Sequence, residues 1–235
     1  MVRRLSRLAI NTALDALFPR FCAGCGTEGS AWCASCEERG LPAIQKAGCP
    51  FCNAGDTWRT CESCRTEAAL DGVVTLFPYG DPAIRQLLTT WKYHGDSAYG
   101  NAAMGLVRAW LGKYGTQIPA VDVVTFVPLH PRRARARGFD QAEVIAQTVA
   151  RVVGVPKEGL LVRTHATSER AHISHVLRAL GDLDGMFAVE EGIEVPARVL
   201  LCDDVFTSGA TMDAAAQALK EAGAKEVWGL AVAKG

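Results

Sequence analysis

Two carboxylates at the end of an apolar run, followed at once by small hydroxylated residues, are the part of this sequence best suited to chemistry. The run VLLCDDVFTSGATM occupies positions 199–212. Its apolar start, 199–201, reads as a strand leading into a loop that carries Asp203 and Asp204. Thr207, Ser208, Gly209, Ala210 and Thr211 then open a helix over 210–221, which Gly223 stops. A helix N-terminus offers free backbone N–H groups and the positive end of its dipole, which together hold phosphate. Gly209 lets the backbone come close to an anion, and the hydroxyls of Thr207, Ser208 and Thr211 add donors. Two carboxylates beside a phosphate would repel it unless they serve another part of the ligand. Ribose hydroxyls or a magnesium ion are the natural partners. An ordinary helix cap needs one such residue, not five around a glycine. No G-K-[ST] follows, which excludes a Walker A loop.

The cysteines form the second constellation. Eight of the nine fall in four C-x-x-C pairs: Cys22/Cys25, Cys33/Cys36, Cys49/Cys52 and Cys61/Cys64. A tetrahedral zinc ion takes two thiolates from one such knuckle and closes on a second. The simplest assignment is two sites, the first two knuckles forming one and the last two the other; spacing alone leaves an interleaved pairing open. Thioredoxin-like redox motifs come singly, so four in tandem favour zinc over redox chemistry. An iron–sulfur cluster is a minor alternative. With every ligand a thiolate and no position left for water, the zinc is expected to be structural. Cys202 sits alone in an apolar strand and reads as a buried, inert thiol. Trp32, Phe51 and Trp58 read as the module's small core, with base stacking as the alternative.

A third group is basic. Arg132, Arg133, Arg135 and Arg137 crowd the stretch after the apolar run at 121–127. Guanidinium forks suit pyrophosphate and would also suit a nucleic-acid backbone. His165, His172 and His175 lie in a polar stretch at 164–185 that reads as a mobile loop, where exposed histidines are expected rather than a metal grip.

These pieces together resemble type I phosphoribosyltransferases, whose ligand is phosphoribosyl pyrophosphate. Across nearly the whole chain, from about Leu17 to the end, the sequence is similar to one branch of them, the ComF family. The resemblance is carried by the four knuckles, FPYG at 77–80, WKYHGD at 91–96, VPLHPRR at 127–133, RGFDQ at 137–141 and the loop at 199–212. It implies an α/β type I phosphoribosyltransferase fold, a parallel sheet flanked by helices, behind a small N-terminal zinc-ribbon module. It implies that Asp203 and Asp204 contact the ribose hydroxyls and that Thr207, Ser208, Gly209, Ala210 and Thr211 hold the 5′-phosphate. Leu129, His130, Arg132 and Arg133 would form the pyrophosphate loop, with Arg132 and magnesium stabilising the leaving group. The 164–185 stretch would close over the ligand. The implied activity is phosphoribosyl transfer to an unknown acceptor in a role related to competence and DNA uptake, with single-stranded DNA or the competence machinery as implied partners. A ligand sensor without chemistry, or a protein that handles single strands, are the alternatives. Two departures stand out: Asp140 replaces the family's usual Asn, and the 164–185 stretch lacks its usual Thr-Pro-Gln.

The rest of the chain must position these groups. With 49% hydrophobic residues it can bury a core, and a net charge of zero leaves no global attraction to nucleic acid or membrane. No apolar run is long enough to span a bilayer. The basic, then apolar, start reads as an amphipathic helix rather than an export signal, so a reducing, cytoplasmic setting is expected. Residues 1–70 are expected to form the helix and double ribbon, and 71–235 the catalytic domain. Strands are expected at 73–77, 121–127, 160–163, 186–189 and 226–232, and helices at 82–93, 98–114 and 140–153. That alternation argues for a parallel sheet with helical crossovers. In the helix at 140–153, Val144, Ile145, Thr148, Val149 and Val152 are expected on one face. All the sugar-phosphate groups follow Asp71. The cysteine module is therefore expected to take no part in their pocket, and a chain lacking residues 1–70 to keep its ligand.

Overall fold

The structure is a computed structural model that describes residues 19–40, 47–164 and 185–235. The expected N-terminal helix and nearly all of the 164–185 stretch, including its three histidines, lie outside those residues.

Four parallel strands form the body: β1 (Gly72–Pro78), β2 (Val123–Phe126), β5 (Arg198–Phe206) and β6 (Glu226–Lys234). Their order is β1-β6-β5-β2. On one face pack α3 (Pro82–His94), α4 (Ser97–Tyr114) and α6 (Gln141–Val153). On the other lie α7 (Ala210–Glu221) and a two-stranded antiparallel hood, β3 (Leu161–Arg163) and β4 (Phe187–Val189). The parallel sheet meets the expectation. The two short strands, however, pair with each other and stand apart from it. Burial on both faces explains the continuous apolar runs of β1 and β6. Along β5, Val199 and Leu201 face the α7 side, while Leu200 and Cys202 face the other helices. Cys202 is fully buried, as expected, and burial pushes its thiol well up.

The helices start where acidic caps allow. Asp81, Asp96 and Asp140 each accept backbone N–H bonds at the first turns of α3, α4 and α6. Gly95, Gly138 and Gly154, all left-handed, end the helices before them. In α3, Ile84, Leu87, Leu88 and Trp91 form the buried stripe at helical spacing. In α6 the expected face is wrong. Ala142, Ile145, Ala146, Val149 and Ala150 are buried, whereas Val144 and Val152 are exposed. The alanines let this helix approach the sheet closely, and close packing outweighs side-chain size.

The cysteine module is built onto the sheet. It contains two short helices, α1 (Ala34–Glu38) and α2 (Glu62–Arg65), each starting directly after a knuckle's first cysteine. Arg59 pairs antiparallel with Gly72, and the Val73 N–H donates to the Trp58 carbonyl at 2.9 Å. The edge of β1 is thereby covered. A side chain at Gly72 would sit 2.4 Å from the Trp228 ring and 2.5 Å from the Trp58 carbonyl, so only glycine permits this approach. Arg20 reaches Asp96 at 2.8 Å, and the Tyr99 hydroxyl donates to the Phe21 carbonyl at 2.8 Å. Trp32 and Trp58 pack on one core of the α/β body and Phe51 on the other, so the aromatics serve that body's cores instead of a separate small one.

The Asp213 carboxylate, in the first turn of α7, joins this connection to the site. One oxygen accepts from the Ala69 and Leu70 N–H groups at 2.9 and 3.0 Å. Replacing Asp213 by Ala leaves two donors without that acceptor, and stability should fall by about 1–3 kcal/mol. Denaturant unfolding measures this; an unchanged midpoint would show that the connection carries no weight.

Candidate functional site

The site lies at the carboxyl ends of β5 and β2, where parallel α/β sheets place their ligands. β5 runs further than the sequence suggested, to Phe206, so Asp203 and Asp204 belong to the strand itself. Continued pairing with β6, through Asp203 opposite Ala231 and Phe206 opposite Lys234, holds them there. Thr207 and Ser208 make the turn. Gly209, at φ +81°, begins α7. It has no side chain to cap the first turn, in contrast to the aspartates that begin α3, α4 and α6. The donors at this end are thus left to an anion.

The acidic pair is asymmetric. Asp204 forms a 2.8 Å ion pair with Lys92 of α3, with both side chains largely buried. Burial works against the lysine charge, but the Asp204 carboxylate outweighs it and lifts the ammonium above its ordinary value. Desolvation holds the Asp203 carboxyl well above the usual carboxylate range, and the Asp204 charge adds to this. One strand end therefore presents a charged, paired carboxylate next to one that resists ionisation.

The basic stretch is a helix, α5 (Pro131–Arg137), not the expected turn. Pro131 suits a first helical position, and His130 caps the helix: its Nδ1 accepts from the Arg132 N–H at 3.2 Å. Partial burial, then Arg132, Arg163, Arg133 and Arg135, depress the His130 pKa, which preserves the neutral ring that accepting requires. Arg163, from β3, is held below its usual value by burial and by Arg133, while Asp203 pulls the other way. The Arg163 guanidinium lies over the Phe187 ring of the hood at 5.4 Å. Arg137 turns aside and lies over the Tyr93 ring at 6.0 Å. Leu129 is fixed through its N–H, which donates to Asp140 Oδ2 at 2.8 Å, while Asp140 Oδ1 accepts from Ala142 at 3.0 Å. Both oxygens accept, which gives a physical reason for Asp at this position: an amide has only one accepting atom.

The cysteines gather into two groups, Cys22/Cys25/Cys33/Cys36 and Cys49/Cys52/Cys61/Cys64, with the ligand atoms of each within 4.8 Å of one another. The knuckles therefore pair in sequence and do not interleave. The sulfur separations of 3.7 Å for Cys22 and Cys36 and 3.5 Å for Cys25 and Cys33 approach the ~3.8 Å edge of a tetrahedron with zinc–sulfur bonds of about 2.3 Å. Cys52 and Cys61 are likewise 3.5 Å apart. Backbone N–H groups of Cys33 and Cys61 point at Cys22 and Cys49 sulfurs. Bonds with Thr27 lead in bringing Cys25 down to about 6, while burial and its neighbouring thiols push Cys36 up to about 12. Four thiolates so close need a cation, and zinc fits this donor set.

Three contributing residues were not assigned to the site from sequence. Lys92 lies four positions after Leu88, so a charge at the border of the buried stripe of α3 was its signal. Arg163 ends a short strand and carried none. Phe51 was assigned to the module's own core, but its ring packs edge-on to Phe206 at 6.3 Å, beside Gly209. The second cysteine group thus adjoins the turn at 207–209, where the module was expected to take no part.

Two outcomes are expected. Elemental analysis of protein purified without added metal should give about two zinc ions per chain, one per four thiols; folded, metal-free protein would overturn this. Asp140→Asn places an amide NH2 against a backbone donor and should cost about 1–3 kcal/mol in denaturant unfolding. Equal stability would show that one oxygen suffices.

Comparison with known proteins accords with this geometry. A phosphoribosyl transferase domain is matched over residues 140–233. The chain is 27% identical over 204 residues to the competence protein ComFC of Streptococcus pneumoniae, covering 85% of this chain and 86% of that protein. It is 29% identical over 189 residues to the DNA utilization protein YhgH of Salmonella typhi, covering 77% and 82%. A solved glutamine phosphoribosylpyrophosphate amidotransferase from B. subtilis is similar at 24% identity and a TM-score of 0.39, over 57% of this chain and only 26% of that one. Among the described residues no helix is long and apolar enough to cross a membrane. The chain thus carries a match to the phosphoribosyl transferase domain and is similar to ComFC and YhgH proteins over most of its length.

Proposed function

We propose that the chain binds phosphoribosyl pyrophosphate at the carboxyl edge of its sheet and transfers the phosphoribosyl group to an acceptor. The observation that carries this reading is the uncapped N-terminus of α7 directly after the carboxylates of β5. Thr207, Ser208, Gly209, Ala210 and Thr211 take the 5′-phosphate. Asp204 and Asp203 accept from the ribose hydroxyls. Leu129, His130, Arg132 and Arg133 hold the pyrophosphate, and Arg163 adds charge from the hood. Asp203 and Asp204 are the carboxylates that would face magnesium, which would supply positive charge to the pyrophosphate.

In the reaction the bond from the anomeric carbon to pyrophosphate oxygen breaks, and pyrophosphate leaves with the electron pair. The acceptor supplies a new pair to that carbon and loses a proton. Arg132 stabilises the charge on the leaving group, and the acidic pair fixes the sugar. The names of the relatives support a role in competence or DNA utilization, and two clusters of free thiols support a reducing, cytoplasmic location. Residues 1–70 then act as a zinc-bearing unit and 71–235 as the transferase unit.

Calorimetric titration with phosphoribosyl pyrophosphate and magnesium tests the proposal. Asp204→Asn should weaken binding by about 1.5–3 kcal/mol with an unchanged near-ultraviolet dichroism spectrum, because charge-assisted bonds to the sugar are lost. Unaltered affinity would remove Asp204 from the sugar site. Replacing Arg132 and Arg133 together by Ala should weaken inorganic pyrophosphate. Tight single-strand DNA binding that falls steeply with salt, with no phosphoribosyl pyrophosphate binding, would instead establish a nucleic-acid protein on a reused fold.

A further inference from the structure

We infer that Phe51, carried on the second cysteine cluster, positions the phosphate loop for a sugar 5′-phosphate. This rests on the proposed ligand and adds a positioning residue from outside the transferase unit.

Phe51 lies between Cys49 and Cys52 in the third knuckle. Its ring meets Phe206, the last residue of β5, with the planes at 68°. A Cβ at Gly209 would lie 2.6 Å from the Phe206 ring and 3.0 Å from the Phe51 ring. The loop turn is therefore wedged against two rings, one from the strand that carries the acidic pair and one from the cysteine cluster. The knuckle is tied down independently. Its Asn53 N–H donates to the Cys49 carbonyl, and Asn53 Oδ1 accepts from Lys234 Nζ at 2.6 Å. The neighbouring Gly235 N–H donates to the Phe206 carbonyl at 2.9 Å. Past the same cluster, the Ala69 and Leu70 N–H groups hold Asp213 in the first turn of α7. Segments on both sides of the cluster thus grip the turn whose N–H groups face the anion. A closed Cys49/Cys52/Cys61/Cys64 site fixes the backbone of Phe51, so the loop's geometry depends on that site being filled.

The pyrophosphate groups lie elsewhere, on α5 and the hood, and Phe51 has no contact with them. The two halves of the ligand should therefore respond differently. In the full-length, zinc-loaded protein, ribose 5-phosphate and inorganic pyrophosphate are titrated separately into wild type, Phe51→Ala, Phe51→Leu and the control Phe21→Ala. Ribose 5-phosphate affinity should fall about tenfold in Phe51→Ala and about threefold in Phe51→Leu, as expected for loss of an aromatic contact that orders the loop. Pyrophosphate affinity should stay within about twofold, zinc content should be unchanged, and Phe21→Ala should match wild type. Amide hydrogen exchange at 209–211 should quicken in the same order. Equal losses for both ligands would mean general damage and overturn the inference, as would unchanged ribose 5-phosphate affinity in Phe51→Leu and Phe51→Ala. If Phe51→Ala does not fold, Phe51→Leu alone decides. Wild type that binds neither ligand sinks the proposed function and this inference with it; wild type that binds both, with indifferent variants, sinks this inference only.

Discussion

Adjacent carboxylates at the end of a buried strand are costly, and much of the molecule answers that cost. Like charges so close cannot both ionise freely away from water. Lys92 neutralises one, and Asp203 resists ionising. Removing the lysine would leave Asp204 buried and unpaired, at a cost of about 3–5 kcal/mol. The position of Lys92 is in turn set by Trp91, whose ring stacks on Phe139 at 5.6 Å. Phe139 precedes Asp140, and Asp140 holds the Leu129 backbone. A continuous line of contacts thus runs from the acidic pair to the basic helix, through one ion pair, one aromatic stack and one carboxylate.

The fold also distributes helix ends by purpose. Three helices receive an aspartate cap, whose carboxylate accepts first-turn N–H groups and sets a negative charge where an anion would have to sit. α7 receives glycine. The same backbone physics that stabilises the first three makes the fourth available for recognition. Although the chain has zero net charge, Arg132, Arg133, Arg135 and Arg137 fall together on the short helix α5 after β2, a local concentration of positive charge.

Much of this could be read from residue types. The helix stripes, the glycine stops and the alternation of strands with helices pointed to a parallel sheet, and four C-x-x-C pairs pointed to two metal clusters. What escaped was whatever depended on contact at a distance. The buried face of α6 was misjudged because valines attract attention and alanines do not, yet closeness to the sheet favours the smaller side chain. The end of β5 was placed too early because aspartates seldom sit within strands; partners on β6 and the Lys92 charge overrule that preference. The arginine stretch carried a helix start in His130 and Pro131, masked by its charge. Arg163 and Phe51 act across separations of tens of residues or more, and no local spacing records that.

The order of the sheet has a consequence for biosynthesis. β6 follows all the other described elements in sequence, yet it lies between β1 and β5. Until it leaves the ribosome, the facing edges of β1 and β5 have no partner in the middle of the sheet, and β1 can be paired only along its other edge, by the segment at 58–60. The first half of the protein therefore cannot mature ahead of the second. A nascent chain stalled just short of Glu226 holds open a slot one strand wide, so strand exchange between neighbouring nascent chains is the misassembly to which this strand order is exposed.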